Sequence, residues 1–319
     1  MTPYFSAPGP WPRKRGPRAM TSIIGAFLLV AASVLPVAAD GPTNYGDWGA
    51  PTAVAEVNTA AHDGCPIESA NGKQLYVAST RAGGYGKNDI WVAERPNTKA
   101  LFGPMQNLGS AINSADQEFC PTPLGGGWLL FVSDRTACGA TPGLTPPVGD
   151  IYLTRQLNDG TWTAPQHLGC VADGSGPNFT GGEFGPSLVT TQGVTYLYFS
   201  STGTSGNHDI YRSLLNRDGR FETPQAVTEL NSAAVDQMPN VSADGSEIVF
   251  ASSRGGNMDI FTATFDRFTG LWSSPVPVSA VNTAEPESRP SLSGDGKRLY
   301  FGRGATADIY VSTRVEVDH

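Results

Sequence analysis

One sequence unit recurs five times along this chain of 319 residues, and it limits the folds that the chain can adopt. The clearest copy reads Ile-Val-Phe-Ala-Ser-Ser-Arg over residues 248–254 and continues with Asp-Ile-Phe over residues 259–261. The aspartates that open the second motif lie 61, 59, 50 and 49 residues apart. They are Asp89, Asp150, Asp209, Asp259 and Asp308. A repeat of this length is typical of a solenoid, a propeller or another array of similar units.

Each repeat carries the sequence signals of four short strands. An acidic residue stands three places before a proline, and a glycine turn such as Asp244-Gly245 follows. An Asp-Gly pair between apolar runs is the strongest short signal for a β-hairpin. A second proline follows an aromatic residue, as Pro275 follows Trp272. We name the four predicted strands a, b, c and d in chain order, and four antiparallel strands per repeat indicate a propeller blade.

The two ends of the repeat array predict how the propeller closes. The array begins with a d strand over residues 48–57 and ends with a c strand at Asp308 to Thr313. An N-terminal d strand that completes the last blade would remove an exposed sheet edge. The count therefore predicts an all-β, five-bladed β-propeller of four-stranded blades. Its units lie near residues 58–104, 113–165, 178–224, 231–275 and 282–314.

The first 39 residues have the layout of a signal peptide. Four basic residues precede an apolar stretch that runs from Ile23 to Ala39, and the stretch is shorter than the roughly 20 apolar residues of a membrane-spanning helix. Translation could also begin at Met20, which would leave a shorter signal. We expect cleavage near Ala39, a single propeller domain over residues 40–319, and a periplasmic or secreted protein with no membrane span after cleavage.

Charge argues against nucleic acid as a partner. The full chain has a formal net charge of −8. Removal of residues 1–39 leaves 17 basic and 29 acidic residues, a net charge of −12. Phosphate binding needs a basic face, so no nucleic-acid partner is expected.

The repeat resembles a known family of propellers. The segments from Pro239 to Phe261 and from Pro290 to Tyr310 are similar to the WD-like repeats of TolB-type propellers. The resemblance covers nearly all of residues 40–319 and implies a propeller fold. It implies function only weakly, because propellers host unrelated activities. TolB itself carries an α/β domain before its propeller, which this chain has no room for before Trp48. Within this family the resemblance implies an exported module that binds a protein or a glycan.

An arginine and an aspartate recur at the connection between strands b and c. An arginine there can bridge a carboxylate and the amides of the turn, so we expect these residues to fasten the hairpin. A structural group is needed in every blade, whereas a catalytic group is needed once. The residues are Arg81, Asp89, Arg135, Asp150, Asp209, Arg254, Asp259, Arg303 and Asp308.

A second recurrent group is the acid at the start of each strand a. Its members are Asp63, Glu118, Glu183, Asp236 and Glu287. Strand a is the innermost strand of a blade, so these ring acids are expected around the mouth of the axial channel. Five neighbouring carboxylates would raise one another's pKa values or bind a cation, and oxygen ligands favour Ca²⁺. The alternative is that each acid accepts hydrogen bonds from nearby amides and orders the turn.

The sequence offers little support for catalysis. The histidines show no metal-ligand spacing, and neither Gly-x-Ser-x-Gly nor His-Glu-x-x-His occurs. We therefore predict a binding module, and not an enzyme, that uses the face formed by the b–c and d–a loops. Residues 135–150 and 170–183 on that face depart from the repeat, as functional loops do. The alternative is a five-bladed glycoside hydrolase or related enzyme in which two ring acids act as acid and base.

Four cysteines allow three disulfide pairings, and cysteines of an exported chain are expected to pair. Cys138 and Cys170 both belong to the loop-bearing face of the second blade, which favours a bond between them. Cys65 and Cys120 precede the strand-a prolines of adjacent blades, which makes them the second pair. For that second pair the alternative is two buried thiols that pack as small apolar groups.

Overall fold

The protein is described by a computed structural model that covers residues 45–135, 138, 149–203 and 206–317. The predicted signal peptide and most of the b–c loop of the second blade lie outside these residues. Within these ranges, the chain contains no helix with the length and apolar character needed to cross a membrane.

The described chain forms five small antiparallel sheets in which strands a, b, c and d follow in that order; in the fourth sheet, strand c also pairs with a short additional strand, Leu271–Trp272. The all-β, five-bladed propeller predicted from the repeats is confirmed. The blades comprise, in order, Asp63–Glu68, Gln74–Ser79, Asp89–Glu94 and Gln106–Asn107; Glu118–Pro123, Trp128–Ser133, Asp150–Arg155 and Gln166–His167; Glu183–Thr191, Val194–Ser201, Asp209–Leu214 and Gln225–Ala226; Asp236–Val241, Glu247–Ser252, Asp259–Asp266, Leu271–Trp272 and Val276–Pro277; and Glu287–Leu292, Arg298–Arg303, Asp308–Thr313 and Thr52–Ala53.

The closure of the ring is also as predicted. Thr52–Ala53 supplies strand d of the fifth blade and pairs with its strand c, with Thr52 opposite Val311. Further along, Tyr45 forms a bridge with Glu316, so the described ends of the chain lie side by side. The sheet edge that strand c would otherwise expose is covered.

The core lies between blades. The central strands read as nearly continuous apolar runs because both of their faces are covered by neighbouring sheets. One cluster joins Tyr76 and Ile90 of the first blade to Leu129, Phe131 and Tyr152 of the second. Such clusters make each blade depend on its neighbours for burial of its apolar surface.

A β-bulge interrupts strand a in every blade. Two residues of strand a face a single residue of strand b, as Cys65 and Pro66 face Val77. The residue before the proline has a positive φ in all five blades, with values from 46° to 59°. These residues are Cys65, Cys120, Gly185, Met238 and Arg289. The bulge turns them towards the propeller axis, where with their neighbours they line a cavity of about 30 Å³.

Candidate functional site

The ring acids are fully buried and do not line the axial cavity. Asp63 shows the recurrent arrangement: it accepts hydrogen bonds from Thr59 N and Oγ1 at 2.7 and 2.8 Å and from Ser79 Oγ at 2.5 Å. The prediction that the ring acids surround the channel mouth is wrong. The bulge two residues later carries the pre-proline residue to the axis and leaves Asp63, Glu118, Glu183, Asp236 and Glu287 inside the d–a turns.

The b–c arginines pair with these ring acids and not with the aspartates that open strand c. Arg81 Nη2 lies 2.6 Å from Asp63 Oδ1, and Arg254 Nη2 lies 2.5 Å from Asp236 Oδ1. Arg135 and Arg303 pair with Glu118 and Glu287 in the same way. The predicted Arg–Asp pairing within the b–c turn is therefore wrong.

The strand-c aspartates have other partners. Asp89 accepts hydrogen bonds from the amides of Tyr85 and Gly86 within its own turn and from Asn107 Nδ2 of strand d. Its carboxylate is satisfied locally, which leaves Arg81 free to bridge to strand a. The arginine and the aspartate still fasten the b–c hairpin, but each does so through its own set of hydrogen bonds.

The same ion pairs argue against the prediction that the ring acids coordinate Ca²⁺. Four of the five acids are neutralised by a guanidinium group at 2.5 to 2.9 Å. Oxygen atoms that are already bonded to arginine and hydroxyl groups are not free to coordinate a cation. The suggestion that these acids bind Ca²⁺ is therefore not supported by the geometry.

The third blade breaks the pattern at Glu183. Thr202 and Gly203 stand where the other blades have the arginine, and Phe179 replaces the serine or threonine that donates to the acid. Glu183 accepts hydrogen bonds from Phe179 N at 3.0 Å and from Ser201 Oγ at 2.9 Å, and its Oε2 has no donor. Burial, together with the neighbouring Asp150 carboxylate, raises the pKa of Glu183 well above its usual value.

Asp150 links Glu183 to a histidine. Asp150 Oδ2 accepts hydrogen bonds from His167 Nε2 at 2.5 Å and from Cys138 N at 2.8 Å, whereas its Oδ1 has no donor of its own. A protonated Glu183 could donate to the neighbouring Asp150 carboxylate, because a protonated carboxyl group is a hydrogen-bond donor. Gly169 N donates to His167 Nδ1 at 3.1 Å, which fixes the proton of the neutral ring on Nε2.

His167 belongs to the wall of an interblade cleft of about 420 Å³ between the second and third blades. Its walls are largely apolar, with leucines from both blades and Phe221. Four polar side chains join them: His167 from strand d of the second blade, Asp173 and Ser175 from the following d–a segment, and Arg220 from the c–d turn of the third blade. Ser175 donates to Asp173 from its amide and its hydroxyl, and these bonds lower the pKa of the Asp173 carboxyl.

Cys138 and Cys170 form a disulfide beside this cleft, the pairing that the sequence favoured, and their Cα atoms are 5.6 Å apart. The two sulfurs, Asp150 and His167 offer four ligand atoms within 4.8 Å of one another. In the disulfide neither sulfur is a thiolate, and the remaining two groups bond each other, so the set does not offer a metal site. Cys65 and Cys120, predicted as the second disulfide, are free thiols with their sulfurs 2.6 Å apart.

One further residue recurs in all five repeats and was not identified from the sequence. An asparagine five residues before each ring acid bonds both backbone groups of the strand-c isoleucine, as Asn231 does with Ile210 N at 2.7 Å and Ile210 O at 3.0 Å. The five asparagines are Asn58, Asn113, Asn178, Asn231 and Asn282. Their constant spacing from the acids was the available signal.

No family model matches this chain. No curated protein is similar to it in sequence at a significant level. Solved structures are similar to it in fold. An alpha-L-arabinofuranosidase from Lactobacillus brevis has a TM-score of 0.58 at 11% identity, covering 84% of this chain and 95% of that one. An alpha-L-arabinofuranosidase from Podospora anserina has a TM-score of 0.53 at 14% identity, covering 86% and 98%.

A putative TolB from Agrobacterium tumefaciens is also similar, at 16% identity over 82% of this chain and 79% of that one. Its TM-score of 0.46 is too low to support a TolB-type function. The five-bladed propeller that the resemblance implied is established by the five sheets of this chain.

The prediction of a binding module without enzymatic activity is contradicted by these neighbours. The similar structures with higher TM-scores are glycoside hydrolases, and they favour the enzyme alternative that the sequence analysis kept open. At identities of 11 to 14% the likeness establishes the fold alone. The chain is thus a five-bladed β-propeller that shares its fold with α-L-arabinofuranosidases.

Proposed function

We propose that this chain is an exported glycoside hydrolase whose substrate binds in the interblade cleft. One observation carries the proposal: an exposed carboxylate, Asp173, and a carboxylate-bound imidazole, His167, line one largely apolar cavity of about 420 Å³. A concave apolar cavity with a few converging polar groups is the usual form of a small-molecule site.

The two groups suit different tasks in hydrolysis. Asp173 remains ionised because Ser175 lowers its pKa, so it can take a proton from an attacking water. Both ring nitrogens of His167 are bonded within the protein, Nε2 to Asp150 and Nδ1 to Gly169 N, so we assign this imidazole to positioning the substrate and not to proton transfer. Arg220 on the opposite blade adds a donor for sugar hydroxyls. Water adds across the bond between the anomeric carbon and its oxygen: its hydroxyl group stays on the anomeric carbon, Asp173 passes the other proton to solvent, and the leaving oxygen takes a proton from solvent.

Two further features support the compartment and the substrate class. A disulfide is compatible with an extracellular or periplasmic location, and the signal layout of residues 1–39 supports export. The fold neighbours named as alpha-L-arabinofuranosidases make aryl α-L-arabinofuranosides the first substrates to test.

The test measures release of the aryl group by residues 40–319. Asp173→Asn should lower kcat/KM by about 100-fold or more, because general acid–base groups contribute roughly 10²- to 10⁴-fold. Asp159→Asn is the matched control. Asp159 accepts the same two bonds from Thr161 that Asp173 accepts from Ser175, but it lies outside the cleft.

The control should keep the activity of the unmodified chain. Equal activities of the two variants would remove Asp173 from the mechanism. No turnover by the unmodified chain across a panel of aryl glycosides would contradict the hydrolase proposal.

A further inference from the structure

Two cysteines face the propeller axis and do not line the interblade cleft. Cys65 and Cys120 precede the strand-a prolines of the first two blades and line the axial cavity together with Met238 and Arg289. The cavity of about 30 Å³ is large enough for one or two water-sized molecules. A small polar reagent on the axis would therefore contact both sulfurs.

The backbone holds the two sulfurs together. Cys65 and Cys120 have φ values of 48° and 46°, in the left-handed region, and each is followed by a proline. Their sulfurs are 2.6 Å apart, and both residues are buried. The bulges thus fix the pair at a separation from which a bond between the sulfurs requires little movement.

The two thiols have different surroundings. The guanidinium group of Arg289 packs against Gly64, the residue before Cys65; a Cβ at Gly64 would lie 1.9 Å from Arg289 Nη1. Burial acts against ionisation, but the hydrogen bond from Cys120 and the charge of Arg289 lower the pKa of Cys65 to about 7. Burial and the neighbouring Cys65 raise the pKa of Cys120 well above its usual value. Thiolates, and not thiols, are the nucleophiles.

We propose that Cys65 and Cys120 form a peroxide-reactive dithiol at the axial cavity, with Cys65 as the attacking group and Cys120 as the resolving group. The Cys65 thiolate attacks one oxygen of a hydroperoxide, the O–O bond breaks, and the leaving oxygen takes a proton to form water or an alcohol. The resulting sulfenic acid reacts with the Cys120 thiol, and water leaves as the S–S bond forms. A dithiol reductant reverses the reaction by exchange.

The experiment uses the full chain and hydrogen peroxide, with peptide mapping to follow each cysteine. One equivalent of peroxide should link Cys65 to Cys120 and leave the Cys138–Cys170 bond unchanged. In Cys120→Ser the sulfenic acid should accumulate on Cys65 and be trapped by dimedone. In Cys65→Ser, trapping at Cys120 should be lower, because burial still raises the pKa of that thiol.

A charge variant tests the role of Arg289 without changing either sulfur. Arg289→Gln should slow the reaction with peroxide about tenfold by lowering the thiolate fraction of Cys65 at pH 7. Arg217→Gln, on an exposed c–d turn, serves as the control. Trapping at Cys120 in preference to Cys65, or a wild-type rate no faster than that of free cysteine, would overturn the proposal. Melting curves of each variant separate these outcomes from failure to fold.

Discussion

At the scale of single residues, the ring acids show how a buried carboxylate is stabilised. Asp63, Glu118, Asp236 and Glu287 each have a guanidinium partner and a hydroxyl donor from the d–a turn. Glu183 has neither, and its nearest ionisable neighbour is another acid. A buried carboxylate that lacks its cationic partner destabilises the folded state. The third blade avoids this cost if Glu183 remains protonated.

This difference predicts how stability depends on pH. Because the folded-state pKa of Glu183 is raised above the value of about 4.3 for an exposed glutamate, protonation favours the folded state. Its contribution to the free energy of unfolding is complete below about pH 4 and is lost as pH rises through the folded-state pKa.

Glu183→Gln cannot titrate and should remove this loss, which urea denaturation at several pH values would measure. The exposed Glu222→Gln should keep the wild-type profile. A Glu183→Gln profile parallel to that of the wild type would show that the Glu183 carboxyl does not titrate in this way.

The sequence indicated which acids and arginines are structural, but it paired them incorrectly. The recurrence of Arg254 and Asp259 identified both as structural residues. It did not reveal that the turn satisfies the strand-c aspartate locally, as the amides of Tyr85 and Gly86 do for Asp89. The pairing of arginine with strand a depends on how three loops pack together, which no local pattern encodes.

At the scale of strands and turns, most of the architecture was predictable. Alternating apolar runs and glycine turns located the hairpins, and ring closure followed from their order. The bulge in strand a was not predictable from residue type. The bulge residues with positive φ are Cys65, Cys120, Gly185, Met238 and Arg289, and only one of these five is a glycine. The proline that follows each of them was the shared feature.

The asparagine of the d–a segment gives a prediction at this scale. Asn231→Ala leaves the buried amide group of Ile210 without a partner and removes one of the two donors to its carbonyl, the other being Val227 N; an unsatisfied buried group costs about 1–3 kcal/mol. The expected result is a lower free energy of unfolding by about 2 kcal/mol or more in urea denaturation. The exposed Asn216→Ala in the c–d turn of the same blade should change the free energy by less than about 0.5 kcal/mol. Equal effects would rule out a special role for Asn231.

The interblade cleft could not be located from the sequence. Its lining comes from three separate parts of the repeat, and Asp173 and Arg220 occupy turns that look ordinary in isolation. His167 takes the position that Asn107 has in the first blade and makes an equivalent pair of bonds. Only the folded arrangement shows that this substitution lies at a cavity.

At the scale of the whole molecule, the first and fifth blades are joined by more than a shared strand. Glu68 of the first blade is buried and accepts hydrogen bonds from Arg298 Nη2 at 2.9 Å and Tyr300 Oη at 3.1 Å of the fifth. Arg95 of the first blade donates to the same carboxylate. The closure therefore contains a buried, multiply bonded charge as well as a strand pair.

A ring closed in this way should tolerate a change in where the chain begins. We expect a circular permutant that joins residue 317 to Tyr45 through a short glycine linker, and opens between Phe268 and Thr269, to fold with a melting temperature near that of the parent. Tyr45 already pairs with Glu316, and Phe268 is fully exposed in a c–d turn.

The matched control keeps the new opening but deletes residues 45–57, which removes strand d of the fifth blade together with the buried Val54 and Val57. It should melt at a markedly lower temperature or self-associate. A permutant that melts as early as this control would contradict the idea that closure, and not the position of the ends, stabilises the ring.

The pairing of Thr52–Ala53 with Asp308–Thr313 also determines when the fifth blade can be completed during biosynthesis. Thr52–Ala53 is made some 250 residues before its partner, so it must wait, unpaired, until almost the whole polypeptide has been delivered. Final assembly of the fifth blade is therefore a late event, whichever blade forms first. In a chain that crosses a membrane as an extended thread, that last event can take place only on the far side, after the translocation channel has released the final strand.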